Sequence, residues 1–183
     1  MSIVKIENGE ITAIMPLNQP IDDTWRYVYD SFPDNYDSRY QTFTYDFFYN
    51  ANTDQVTSTP NVSYIAIEDI KNTRLNELAD TRWSHQIGGM DFNGVFIQTD
   101  DTTALKILGC RVAVDADPSL TFAWKTPSGF VELNAAYIIA ISDGVRGYIQ
   151  ACFDNEKVHV DAINALTTPI DIINYDITLG WPS

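Results

Sequence analysis

Residues 43–78 read FTYDFFYNANTDQVTSTPNVSYIAIEDIKNTRLNEL, and the hydrophobic period changes along them. Phe43, Tyr45, Phe47 and Tyr49 alternate with Thr44, Asp46 and Phe48. A period of two, built from aromatic residues and threonine, predicts a strand. Ile67, Ile70, Leu75 and Leu78 instead fall within an arc of about 140° at 100° per residue, which predicts an amphipathic helix over 65–85. Between them, NANTDQVTSTPNV (50–62) is polar and is expected to be a linker. The expected class is therefore α+β, in two parts. Residues 1–63 form a β-hairpin-rich aromatic module that includes the linker, and residues 64–183 form a helical domain with short antiparallel hairpins.

Upstream, residues 3–14 read IVKIENGEITAI. Asn8-Gly9 supplies the two positive-φ positions of a tight hairpin turn. That turn is expected to pair Ile6 with Ile11, Val4 with Ala13 and Lys5 with Thr12. Residues 15–24, with Pro16 and Pro20, read as loop. Eleven aromatic residues then crowd the stretch from Trp25 to Tyr49. Trp25, Tyr27 and Tyr29 alternate with Arg26, Val28 and Asp30, a second aromatic strand expected to pack on the Phe43–Tyr49 face and form the module's core. The intervening SFPDNYDS is turn chemistry. Each aromatic side chain buries about 150–250 Å², so eleven exceed what a module of this size hides. Phe48 points away from the aromatic face, beside Thr44 and Asp46, and the loop tyrosines Tyr36 and Tyr40 are left over. Tyr36, Tyr40 and Phe48 are therefore the expected protein-binding residues, aromatics set among polar neighbours as interface anchors are.

Downstream, Gly88-Gly89 is expected to end the first helix. Met90–Ile97 forms a hairpin about Asn93-Gly94. Asp100 or Asp101 caps a helix whose stripe is Leu105, Leu108 and Val112. Thr121–Leu133 forms a third hairpin about Pro127-Ser128-Gly129, with Trp124 expected in the core. Asn134 caps a long helix carrying Ile138, Ile141, Val145, Ile149 and Cys152. Asp154-Asn155 is expected to break it and cap a further helix with Val160, Ile163 and Leu166. Thr168-Pro169 restarts the chain for a last short element.

The chain of 183 residues carries a formal net charge of −14. Such a surface repels nucleic acid and anionic membranes, so neither is an expected partner. A mimic of DNA would need carboxylates at phosphate spacing, and the sequence has no such array. MSIVKIENGE has no secretory pattern, and no apolar run approaches a membrane span. Cys110 and Cys152 stand apart and read as buried free thiols of a reducing cytoplasm. His85 and His159 lie on different expected helices, where a surface or capping role is expected and a zinc site is not. Gln98-Thr99-Asp100-Asp101 lacks the alternating oxygens and glycine of a calcium loop. No nucleophile motif, P-loop or dinucleotide pattern occurs. The expectation is a non-enzymatic protein with no cofactor and no metal.

Residues from about 65 to 183 carry a recognisable order of pieces. A helix bearing Arg74 and Arg82 is followed by Gly88-Gly89, NGVFIQTDD (93–101), FAWKTPSGFVELNAA (122–136), a long helix reaching ACFDNEK (151–157), and GWPS (180–183). This order resembles an uncharacterised small domain of tailed bacteriophages, found in tail proteins and in tail-fibre assembly proteins. The junction from Gly94 to Asp101 and the segment from Trp124 to Val131 carry most of the resemblance. It implies a bacteriophage tail component, a connector or adaptor at the baseplate or tail fibre, whose partners are other tail proteins. The implied location is the virion tail, after assembly in the host cytoplasm. The alternative it implies is a cytoplasmic chaperone of tail-fibre assembly. No activity is established for that domain, so the resemblance supplies no catalytic residue, and the first 63 residues lie outside it.

Overall fold

Asn8 and Gly9 adopt φ of 54° and 83° and turn β1 (Ser2–Glu7) into β2 (Glu10–Pro16). The computed structural model describes residues 2–16, 22–28, 32–126 and 129–183. Ile6 faces Ile11, as the turn requires. Beyond that pair a bulge shifts the register, so Lys5 faces Ala13 and Val4 faces Ile14, not Thr12 and Ala13 as expected. Turn chemistry fixes the pairs nearest the turn, and an extra residue in one strand resets those further out. On its other edge β1 pairs antiparallel with β3 (Trp25–Val28), giving the order β2-β1-β3.

β4 (Gln41–Asn50) and β5 (Gln55–Tyr64) pair over their whole length, from Gln41 opposite Tyr64 to Asn50 opposite Gln55. Residues 55–62 are thus strand rather than linker. Thr57, Thr59, Asn61 and Ser63 stand opposite Phe48, Asp46, Thr44 and Thr42 on the open face of this ribbon, where polar side chains are stable. A strand with one wet face and Ser and Pro on the other shows no apolar alternation to read.

The core of this part is made by Val4, Ile6 and Val28, with Phe47, Tyr49 and Val56 packed against it. Pairing with β1 puts Val28 on the face of Val4, so Trp25 is half-buried and Tyr27 is exposed. The expected packing of Trp25 and Tyr27 onto the Phe43–Tyr49 face is therefore replaced by a smaller aliphatic core. Tyr29, the third residue of that expected face, lies outside the described residues.

The chain divides into two units, residues 1–70 and 71–183. The boundary falls within the start of α1 (Ile67–Ile87). The second unit continues with the hairpin β6 (Met90–Phe92) and β7 (Val95–Ile97), α2 (Asp101–Ala116), the hairpin β8 (Thr121–Thr126) and β9 (Gly129–Asn134), α3 (Ala135–Ala165) and α4 (Pro169–Asn174). Asp100 caps α2 through the Thr103 amide (3.1 Å), and Asn134 caps α3 through the Tyr137 amide (3.0 Å). The molecule is thus α+β, with antiparallel hairpins leading into a helical unit.

α3 supplies most of the core: Ile141, Val145, Tyr148 and Cys152 pack with Met90 and Ile97 of the first hairpin and Ile107 of α2. Trp124 is half-buried against this cluster rather than enclosed in it. Two further expectations are overturned here. α3 runs unbroken through Asp154 and Asn155, because its buried stripe continues to His159 and Ile163. Their side chains find other partners: Asp154 accepts from Gln150 Nε2 (2.9 Å), and Asn155 Nδ2 donates to the Leu179 carbonyl (3.0 Å). On α2 the buried residues are Ile107 and Val114, and the expected stripe of Leu105, Leu108 and Val112 faces solvent. The helix is apolar on two sides, so periodicity alone could not choose between them.

The C-terminal segment is clasped to α1 and α3. The Trp181 indole stacks on His85, with ring centroids 5.0 Å apart and planes within 8°, and on His159 at 5.8 Å. It donates Nε1–H to the Ile177 carbonyl (2.9 Å). His159 is buried, not a surface histidine. Its Nε2 meets the Leu179 carbonyl at 2.9 Å, which can only accept, so Nε2 carries the proton and Nδ1 accepts from the Tyr175 hydroxyl at 2.9 Å in the neutral ring. Gly180 completes the clasp at φ +77°, where a Cβ would come within 2.6 Å of Asn155 Oδ1.

A fragment of residues 65–183, which keeps all of α1 and the whole α3 core, should unfold in one cooperative thermal transition; a molten fragment would show that its core is incomplete. Gly180→Ala should cost roughly 1–3 kcal/mol, because it combines a left-handed backbone with a steric clash. Gly109→Ala, in the interior of α2 with open space around it, should be neutral or stabilising by up to about 1 kcal/mol. Chemical denaturation of the two variants compares them directly.

Candidate protein-binding site

The β4–β5 ribbon has two unlike faces because its side chains alternate. One carries Thr42, Thr44, Asp46, Phe48 and Asn50, all exposed. Phe48 leaves 58% of its surface bare, opposite Thr57 and between Asp46 and Asn50. The other face carries Phe43, Tyr45, Phe47 and Tyr49, each half-buried. Phe47 and Tyr49 reach the core, whereas Phe43 lies further along the ribbon, opposite the exposed Val62.

The three residues expected to bind protein behave differently. Phe48 is exposed among polar side chains of β4 and β5. Tyr36 is half-buried: its hydroxyl donates to the Gln41 carbonyl (3.0 Å), and its ring meets Phe43 edge-on at 4.9 Å and Phe32 at 5.3 Å. Tyr40 retains only 2% exposure, so it is removed from the candidate surface. Its amide bonds the Asp37 carbonyl (3.1 Å), its carbonyl accepts from the Ile65 amide (3.0 Å), and the Arg39 guanidinium lies over its ring at 4.9 Å. A loop position gave no sign of this, because the partners come from the residues leading into α1 as well as from the loop.

Phe32 was not singled out from the sequence, yet it is 67% exposed and completes an aromatic cluster with Tyr36 and Phe43 (5.3 Å). Val62 is seen to stand opposite Phe43 only once 55–64 is a strand. The loop beneath is held by Asp37, whose amide donates to Gln41 Oε1 (2.9 Å). Hydrogen bonds from the side chain and amide of Arg39 hold the Asp37 carboxyl below the usual carboxylate range.

The far end of the ribbon is fastened to β3. Arg26 donates from Nε and Nη2 to the two Asp54 oxygens (3.0 and 2.9 Å), and the Tyr49 hydroxyl donates to Asp54 Oδ1 (3.0 Å). Arg26 and then Tyr49 hold the Asp54 carboxyl below its ordinary value, and the same contact pushes the Tyr49 hydroxyl up. A two-point guanidinium–carboxylate contact fixes orientation as well as distance, so the ribbon is set at a defined angle to the sheet of its own unit.

A family model described as a domain of unknown function, DUF4376, matches residues 69–178, and the chain belongs to that family. No curated protein and no solved structure matches it. The matched residues lie almost wholly in the second unit, and the ribbon lies outside them.

The Asp54 contact makes the first unit sensitive to acid. A lowered carboxyl pKa contributes stability that is complete above the ordinary value of 3.8 and is lost as pH falls through the lower folded value. The melting temperature of the intact chain should therefore exceed that of Asp54→Asn at neutral pH. The gap should close as pH drops below 3.8. A gap that stays constant with pH would mean that the carboxylate charge plays no part.

Proposed function

We propose that this protein is a non-enzymatic connector or adaptor of a bacteriophage tail, at the baseplate or tail fibre, and that the β4–β5 ribbon is its docking element. The observation that carries the docking role is an aromatic surface on each side of the ribbon: Phe48 is exposed on one face, and on the other the half-buried Phe43 packs against the exposed loop residue Phe32. Large apolar side chains ringed by polar ones are favoured at binding hot spots. A ribbon whose edges pair with no other strand among the described residues, with aromatics on both faces, suits insertion into a partner's cleft or pairing with its sheet. The tail setting is supported by the order of motifs from Gly94–Asp101 to Trp124–Val131. The partners are then other tail proteins, and the location is the virion tail.

No catalytic role is ascribed to the chain. His159 spends both ring nitrogens within its own fold. Burial pushes the thiols of Cys110 and Cys152 up, the reverse of what an activated nucleophile needs. Among the described residues no group of three or more His, Cys, Asp or Glu side chains is placed to hold a metal, and no helix is long and apolar enough to cross a membrane.

Phe48→Ser should change stability by less than about 0.5 kcal/mol, since the side chain is exposed. In the phage that carries the gene, wild-type protein should be present in purified particles, and Phe48→Ser should reduce its incorporation. Full incorporation of a doubly substituted Phe32→Ser/Phe48→Ser chain would sink the docking role. Absence from particles, together with malformed tail fibres when the gene is deleted, would favour the assembly chaperone instead.

A further inference from the structure

Among the described residues, the cations of this acidic chain are almost all engaged. Lys5, Arg26, Arg39, Arg74, Arg82, Arg111, Arg146 and Lys157 each hold a carboxylate, and Lys71 donates to the Asn164 carbonyl. The two left without such a contact, Lys106 and Lys125, line the same cleft. Lys106 comes from α2 and Lys125 from β8, so two of the three cations that hold no carboxylate line one cleft.

This cleft, of about 510 Å³, lies in the second unit between the two hairpins and α2. Phe96 and Trp124 form aromatic walls, Gln98 and Thr103 add polar groups, and among the described residues the lining contains no carboxylate. The nearby Asp100 carboxylate is committed to the start of α2, where it accepts from the amide and hydroxyl of Thr103. Both walls are held in place. Trp124 packs against the core of the unit, and the Phe96 ring lies so close over Gly89 that a Cβ there would come within 2.2 Å of its tip. A pocket of this size with aromatic walls and a few convergent polar groups has the character of a small-molecule site.

We propose that the cleft binds a small planar anion, an aromatic ring bearing a carboxylate or phosphate. The ring lies against Trp124 and Phe96, and the anionic group meets Lys106 and Lys125. The overall charge selects for small size. A long polyanion would meet the repulsive field of a chain of net charge −14 over its whole length, whereas a small anion senses only the local pair within a Debye length of about 10 Å.

Phenyl phosphate titrated into the intact chain at low salt, followed by amide and indole NMR shifts, tests the assignment. Saturable binding that moves the Trp124 indole resonance is expected, with inorganic phosphate and benzyl alcohol each weaker. The Lys106→Gln/Lys125→Gln variant changes only exposed side chains and should melt as the wild type does. It should bind phenyl phosphate at least about tenfold more weakly. Gly89→Ala, which displaces the Phe96 ring, should also weaken binding. No saturable binding at millimolar phenyl phosphate, or an unchanged Kd in the double lysine variant, would overturn the proposal. Inorganic phosphate binding as tightly as phenyl phosphate would overturn its aromatic half.

Discussion

The buried seam of α3 is the constraint on which the second unit depends. Ile138, Ile141, Val145, Tyr148 and Cys152 follow one another at alternating three- and four-residue steps, and the seam resumes at His159 and Ile163. That spacing keeps one side of a 31-residue helix turned inward along its length. At 1.5 Å per residue the helix spans about 46 Å, long enough to carry the hairpins, α2 and the C-terminal clasp in sequence along one face. The polar members of the seam are satisfied as they enter: the Tyr148 hydroxyl donates to the His85 carbonyl (2.8 Å), and His159 is bonded at both nitrogens. A buried polar group left without a partner would cost stability, so these contacts also fix which segments may lie against the helix.

The first unit solves a different problem. Its aromatic content exceeds its core, and the core it makes is small and aliphatic. Val4, Ile6 and Val28 carry the packing, Phe47 and Tyr49 close over them, Tyr40 is buried, and Phe43, Tyr45 and Phe48 lie half-buried or exposed along the ribbon. The Arg26–Asp54–Tyr49 contact sets the ribbon on the sheet by direction as well as attraction. Part of the surplus aromatic surface, Phe48 above all, is thus presented on an element of fixed orientation within its unit.

Charge is organised in the same manner. A chain with 25 acidic and 11 basic residues has carboxylates to spare, and among the described residues eight of the cations hold one. Most of these pairs are exposed and contribute little to stability. Their consequence is to leave the surface acidic with few positive features, so that a cleft lined by two lysines and no carboxylate stands out electrostatically.

What the sequence determined by itself was local. The Asn8-Gly9 and Asn93-Gly94 turns, a cap at Asp100 or Asp101, the Asn134 cap, the Gly88-Gly89 stop and the α+β class were all legible, because turn conformation, capping and helical period depend on residues within a few positions of one another. The outward face of Phe48 was legible for the same reason, since alternation in a strand is a local property. What needed the tertiary structure was everything set by a distant neighbour. Polar β5 is a strand because β4 lies beside it. Asp154-Asn155 stays helical because the buried seam continues beyond it. α2 buries Ile107 rather than Leu105 because α3 meets that side. Tyr40 is enclosed although it stands in a loop. The meeting of His85 and His159 at Trp181, and of Lys106 and Lys125 at one cleft, joins residues far apart in the chain. No local pattern encodes such meetings; the free energy that selects them belongs to the packed core as a whole.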